Sequence, residues 1–166
     1  QIAPVEARYV TQVGARRVTM LVDDTANGAF TEGMADRLTR RLQRAGVAVT
    51  RISLVETPDA PAGYYAQKVA EALATTPDLI YVSTYFPEGV EVAKALAAAG
   101  DAPRCLMGLA NVDNGFTAAT SQAEATRCQF AGVVAAGQMP SARGYVQQYR
   151  RAFKTRPGVW GSFYYD

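Results

Sequence analysis

"VTMLVDDTANG", Val18 to Gly28, sets an unbroken apolar run against two adjacent acids, small polar residues and a glycine. A short continuous run of β-formers that stops at turn residues reads as a strand buried on both faces, the kind used in parallel sheets. The period then changes. Phe30, Met34, Leu38 and Leu42 recur every four residues up to Ala45-Gly46, where glycine supplies a left-handed stop. A second run, "VAVTRISL" (Val47 to Leu54), completes a strand, helix, strand unit, and the same alternation continues along the chain.

Further strands are expected at "LIYVS" (Leu79 to Ser83), "RCLMG" (Arg104 to Gly108) and "FAGVVAA" (Phe130 to Ala136). Helical stripes fall at Tyr65, Val69, Ala72 and Leu73, at Val90, Ala93, Leu96 and Ala97 before Gly100, and at Tyr145, Gln148, Tyr149, Ala152 and Phe153. A first helix is expected over Val5 to Gln12. The fold class is therefore α/β: a three-layer α/β/α sandwich on a mainly parallel, Rossmann-like, doubly wound sheet of about five strands. Ligands of such sheets lie beyond the carboxyl ends of the strands, so the loops to watch are Asp23 to Ala29, Thr84 to Gly89 and Leu109 to Thr117.

Composition narrows the chemistry. The 166 residues suit one domain, and a formal charge of +2 with scattered cations argues against nucleic acid, which needs a concentrated basic face. "RRLQR", Arg40 to Arg44, is locally basic and is read as a solvated helix face. No run approaches the ~20 apolar residues of a membrane span, and the start carries no export signal. Histidine is absent, which removes the commonest general base and transition-metal ligand. Cys105 and Cys128 lack CxxC spacing; they pair in an oxidising compartment or stay as two buried thiols. No nucleophile with its base and no phosphate-cradling glycine loop is present, so no catalytic residue, metal site or cofactor is expected.

Asp23 and Asp24 decide between two families. An acid pair after a first strand, followed by "PDLIYVSTYFPEG", is similar to a phosphate-accepting receiver domain, in which such acids hold magnesium. The acceptor position here carries Ser83 and Thr84, which cannot form an acyl phosphate, and the expected later lysine is missing from "LMGLANVD" and "GVVAAGQMP". The acids are better read as turn residues that accept backbone N–H groups. Glu88, after Pro87, is read as a first-turn acid complementing a helix dipole.

"RRVTMLVDDTANGAFTEGMADRLTRRLQRAGVAV", "TPDLIYVSTYFPEGVEVAKALAAAG", "RCLMGLANVD" and the terminal "FYYD" together resemble type I periplasmic binding proteins. The nearest group is the extracellular ligand-binding receptors of branched-chain amino-acid ABC transporters. The resemblance implies two α/β lobes that close on a solute, with residues 1–166 forming one, the C-terminal lobe of a longer chain. It places Tyr85 as a cleft-lining tyrosine, with Thr84 at the same strand end. Asn27 stands where relatives carry an aromatic before the glycine, and Ala110 stands where amino-acid binders carry a glutamate for the ammonium. Asn111 and Asp113 flank that position.

What the resemblance further implies is a non-enzymatic binding protein, periplasmic or extracellular, a lipoprotein anchor being compatible. It would deliver a branched-chain amino acid or a related small carboxylate or amide to an ABC permease. Its partners would be the small-molecule ligand, the missing N-terminal lobe and the permease, with self-association through exposed interlobe surface, where Trp160, Phe163, Tyr164 and Tyr165 cluster. The alternative is a ligand-sensing domain of the same fold in a signalling receptor.

Overall fold

In a computed structural model, residues 2–25, 28–100 and 103–160 are described. After a first helix α1 (Ala3–Gln12), the alternation runs β1 (Arg17–Asp23), α2 (Ala29–Arg44), β2 (Ala48–Leu54), α3 (Tyr64–Ala74), β3 (Leu79–Ser83), α4 (Phe86–Ala98) and β4 (Arg104–Met107). Two short helices, α5 (Asn114–Ala118) and α6 (Gln122–Ala125), precede β5 (Gln129–Phe130), and α7 (Arg143–Phe153) follows. The strands are all parallel, in the order β2-β1-β3-β4-β5.

The alternation of side chains on β1 explains the layers. Val18, Met20 and Val22 face α1 and α2, where they meet Val10, Ala35, Leu38 and Leu42. Leu21 faces the other way, into a core with Ile52, Val69, Ala72, Ile80, Val82, Ala93 and Leu96 from β2, α3, β3 and α4. The central strands β1 and β3 are buried on both faces, which is why their sequences read as continuous apolar runs. α2 ends as expected: Gly46 is left-handed at φ +75°, and the Val47 N–H reaches back to the Leu42 carbonyl at 2.9 Å.

Two expectations are corrected. The apolar run Phe130 to Ala136 is not a strand beyond Phe130. Its partner β4 ends at Met107, so after Phe130 pairs there, and the Ala131 N–H bonds the Met107 carbonyl at 3.0 Å, no ladder remains to extend. Phe30, expected in the core stripe of α2, is 47% exposed; Thr31, Met34, Ala35, Leu38 and Leu42 form the buried face instead. Phe30 belongs to the first turn, where Thr31 is the buried residue.

α5 and α6, between β4 and β5, were not expected from apolar periodicity, being too short to show one. Their caps are nonetheless written in the sequence. Asp113 caps α5, and Ser121 with Glu124 forms a reciprocal capping box on α6, with Ser121 N–H to Glu124 Oε2 at 2.6 Å. Cys105 of β4 and Cys128, just before β5, form a disulfide.

Candidate functional site

The chain reverses its direction of growth between β1 and β3. β2 is added on one side of β1 while β3, β4 and β5 are added on the other, which is the topological switch of a doubly wound sheet. Because Val22 pairs with Ser83 and Val82 with Met107, the carboxyl ends of β1, β3 and β4 lie side by side. Their outgoing loops form one shelf.

The loop after β1 is held from below. The Asp23 side chain is fully buried, and its Oδ1 accepts the Thr25 N–H at 3.1 Å and the Thr25 hydroxyl at 2.7 Å. That hydroxyl also lies 3.0 Å from Glu56 Oε1 of the β2 to α3 loop. Asp24 turns away to the edge of the sheet, where it accepts the Ser53 hydroxyl at 2.6 Å. The adjacent acids therefore serve two different partners. Asp23 Oδ2 is buried without a hydrogen bond among the described residues.

A second tie fixes the start of α2. The Thr31 hydroxyl lies 2.7 Å from both the Asp23 and Gly28 carbonyls, while the Thr31 carbonyl accepts the Ser83 hydroxyl from β3 at 2.7 Å. A Cβ at Gly28 would run into the Asp23 carbonyl, so the close approach of loop and strand requires glycine there. Asn27 lies outside the described residues.

On β3 and the following turn, Thr84 is buried and Tyr85 stands outside. Thr84 Oγ1 is 3.0 Å from the Tyr85 carbonyl and 3.3 Å from Asn111 Oδ1. Asn111 is itself fully buried, donating to the Thr84 carbonyl at 2.9 Å and the Val82 carbonyl at 3.4 Å. Thr84 and Asn111 thus form a staple between the β3 and β4 loops. The staple needs Gly89, since a Cβ there would overlap the Asn111 amide.

Tyr85 precedes the first turn of α4 in extended conformation, 37% exposed, and its ring makes no capping bond. Ala110 is half-buried in a 3₁₀ turn over Leu109–Asn111, and Asp113 is half-buried with its Oδ1 on the Gly115 N–H at 2.6 Å.

Two residues that sequence reasoning did not assign to the site, Phe30 and Glu88, now join Tyr85 there. Phe30, in the first turn of α2, and Tyr85, at the first turn of α4, are exposed aromatics on the two loops flanking the switch point. The signal for Phe30 was its place two residues after Gly28, next to the very loop that was singled out. Glu88 is buried at 4% exposure, and its Oε1 accepts the Thr57 N–H at 2.8 Å and hydroxyl at 2.7 Å. Beyond complementing the helix dipole, it fastens the β2 to α3 loop against the start of α4.

Electrostatically, α2 and α4 both begin at this edge. Their first N–H groups, of which Pro87 has none, lie beside Glu32 and Glu88 in the same first turns, with Asp23, Asp24 and Glu56 in the adjoining loops. The shelf has an exposed aromatic after each of β1 and β3 and polar loops tied down beneath.

No model of a protein family matches the sequence, and no curated protein matches it. Solved structures do match in fold. A leucine-binding protein from Thermotoga maritima superposes with a TM-score of 0.80 at 18% identity over 97% of this chain. An extracellular ligand-binding receptor from Rhodopseudomonas palustris HaA2 gives 0.77 at 22% identity over 96%. A solute-binding protein of an ABC transporter from R. palustris, solved with benzoate, gives 0.75 at 18% over 97%. The chain spans only 45%, 45% and 43% of those three proteins. The fold is that of one lobe of a type I periplasmic binding protein. None of the described helices is long and apolar enough to cross a membrane.

Proposed function

We propose that this chain is one half of a two-lobed solute-binding protein, the C-terminal lobe, and that the shelf over β1, β3 and β4 is its half of the ligand cleft. The observation that carries the reading is the pair of exposed aromatics, Phe30 and Tyr85, standing on either side of the switch point above a rigidly stapled floor. A water-exposed aromatic on a fixed loop offers a large apolar contact at little entropic cost. The structural neighbours bear the names of binding proteins, which supports a role without catalysis.

The ligand class follows from charge. The starts of α2 and α4 offer N–H groups to a carboxylate despite Glu32 and Glu88 in the same turns, whereas Ala110 offers no counter-ion to an ammonium. A desolvated ammonium without a partner costs several kcal/mol, so a small aromatic or aliphatic carboxylate fits better than an amino acid. Asp113, the nearest acid in that loop, is engaged as a helix cap. Hinge closure against the other lobe would bury the ligand, and an ABC permease would receive it. The disulfide supports an extracytoplasmic setting, periplasmic or extracellular.

Saturation-transfer NMR on the 166-residue chain tests the reading, with sodium benzoate, 3-methylbutanoate and leucine as probes. Transfer to the two carboxylates is expected to exceed transfer to leucine, and to fall at least threefold in Tyr85→Ala and in Phe30→Ala. Equal transfer to the variants and the parent would reject the site.

A further inference from the structure

A feature remote from the shelf concerns the face shared by α1 and α2. Arg37, Arg40, Arg41 and Arg44 on α2, all exposed, form one stripe in which Arg37 stands three and four residues before Arg40 and Arg41, and Arg44 four and three after them. They rim a hollow of about 420 Å³ whose floor is apolar: Ile2, Ala3 and Pro4 from the start of α1, and Met34 from α2. An adjoining hollow shares Pro4, Arg41 and Arg44 and adds Arg8 of α1.

None of the five arginines has an ion pair among the described residues. The acids that could neutralise them are engaged or distant: Asp36 pairs with Arg51 of β2, Glu6 is buried and bonded by Tyr81, and Glu32 lies in the first turn of α2. These five of the 17 Lys and Arg stand together on this face.

Complementing the α2 dipole explains Arg41 and Arg44, which sit in its last turn, but not Arg37, Arg40 or Arg8. Like charges at these spacings oppose one another on a helix. The start of α1 opens on the same hollow, its Val5 and Glu6 N–H groups already bonded to the Ile2 carbonyl.

We infer that the α1/α2 groove is a docking site for an acidic segment of a partner protein. Such a segment carries carboxylates about one helical turn apart, to meet successive guanidinium forks, and a small apolar side chain for the floor. Guanidinium pairs with carboxylate bidentately, and a recessed apolar floor favours a protruding side chain over a flat lipid surface. The site lies on α1 and the later turns of α2, away from the β1, β3 and β4 loops, and so stands whatever the shelf binds.

The test is fluorescence anisotropy of the labelled peptide Glu-Glu-Leu-Glu-Glu-Leu against the 166-residue chain at low and moderate salt. Saturable binding is expected. It should weaken at least tenfold in Arg37→Gln/Arg40→Gln/Arg41→Gln/Arg44→Gln, and change less than twofold in Arg143→Gln/Arg150→Gln/Arg151→Gln on α7. Circular dichroism reports whether each variant is folded. If the α2 variant does not fold, the peptide Lys-Lys-Leu-Lys-Lys-Leu replaces it as the control and should not bind the parent. No saturable binding, binding that survives the α2 substitutions, binding of the lysine peptide, or tighter retention on phosphatidylglycerol vesicles than on the acidic peptide would overturn the assignment.

Discussion

Glu6 lies on the buried stripe of α1 between Ala3 and Val10, fully enclosed, and among the described residues only the Tyr81 hydroxyl donates to it, at 3.0 Å. Burial raises its pKa to about 7, the Tyr81 bond opposing the shift. Since the folded pKa exceeds the unfolded value of 4.5, the folded state holds the proton longer, and stability is lost as pH rises from about 4.5 to 7. The loss is about 3 kcal/mol at 1.36 kcal/mol per unit.

Glu6→Gln is expected to flatten that dependence, read as urea midpoints at pH 5 and pH 8; an unchanged slope would contradict the assignment. Nothing in the local sequence separates Glu6 from a solvated glutamate, because its burial is decided by β3, 75 residues away. Asp23 was legible as a turn residue, since its spacing to Thr25 is local, whereas the partner of Asp24 is Ser53 of β2, 29 residues away. Phe30 was misread for a related reason: periodicity reports a helix face, not which of its positions the rest of the fold covers.

At the scale of elements, strands and long helices announce themselves by period, and β1, β3, α2 and α4 were readable from single runs. β5 was not, because its length is set by β4, which stops at Met107. The loop between them, which carries Ala110, Asn111 and Asp113, is framed by the disulfide. Cys105 and Cys128 are 23 residues apart, and closing a loop of that size stabilises by about 3 kcal/mol through the unfolded chain. Cys105→Ala/Cys128→Ala is therefore expected to lower unfolding stability by about that amount, measured by urea denaturation. An unchanged midpoint would show that the α5 and α6 caps alone hold this loop.

For the molecule as a whole, the doubly wound order brings three loops far apart in sequence to one edge, beside the starts of α2 and α4. The sequence pattern was enough for the class of fold, because alternating periods leave few arrangements of a parallel sheet. It was not enough for the site. Asn111 and Thr84 sit in the expected loops, yet their polar groups hold the backbone, whereas Tyr85 and Phe30 stand free. Which side chains face a ligand depends on how the loops are stapled to one another, and no local signal records that.

The central claim is that the shelf itself receives the solute. Backbone amide chemical-shift mapping of the labelled chain with sodium benzoate tests it most directly. Shifts are expected to concentrate at Thr25, Gly28 to Phe30, Thr84 to Phe86 and Ala110, with the far ends of the strands unmoved. Shifts confined to the α1/α2 groove or spread without a centre would contradict it.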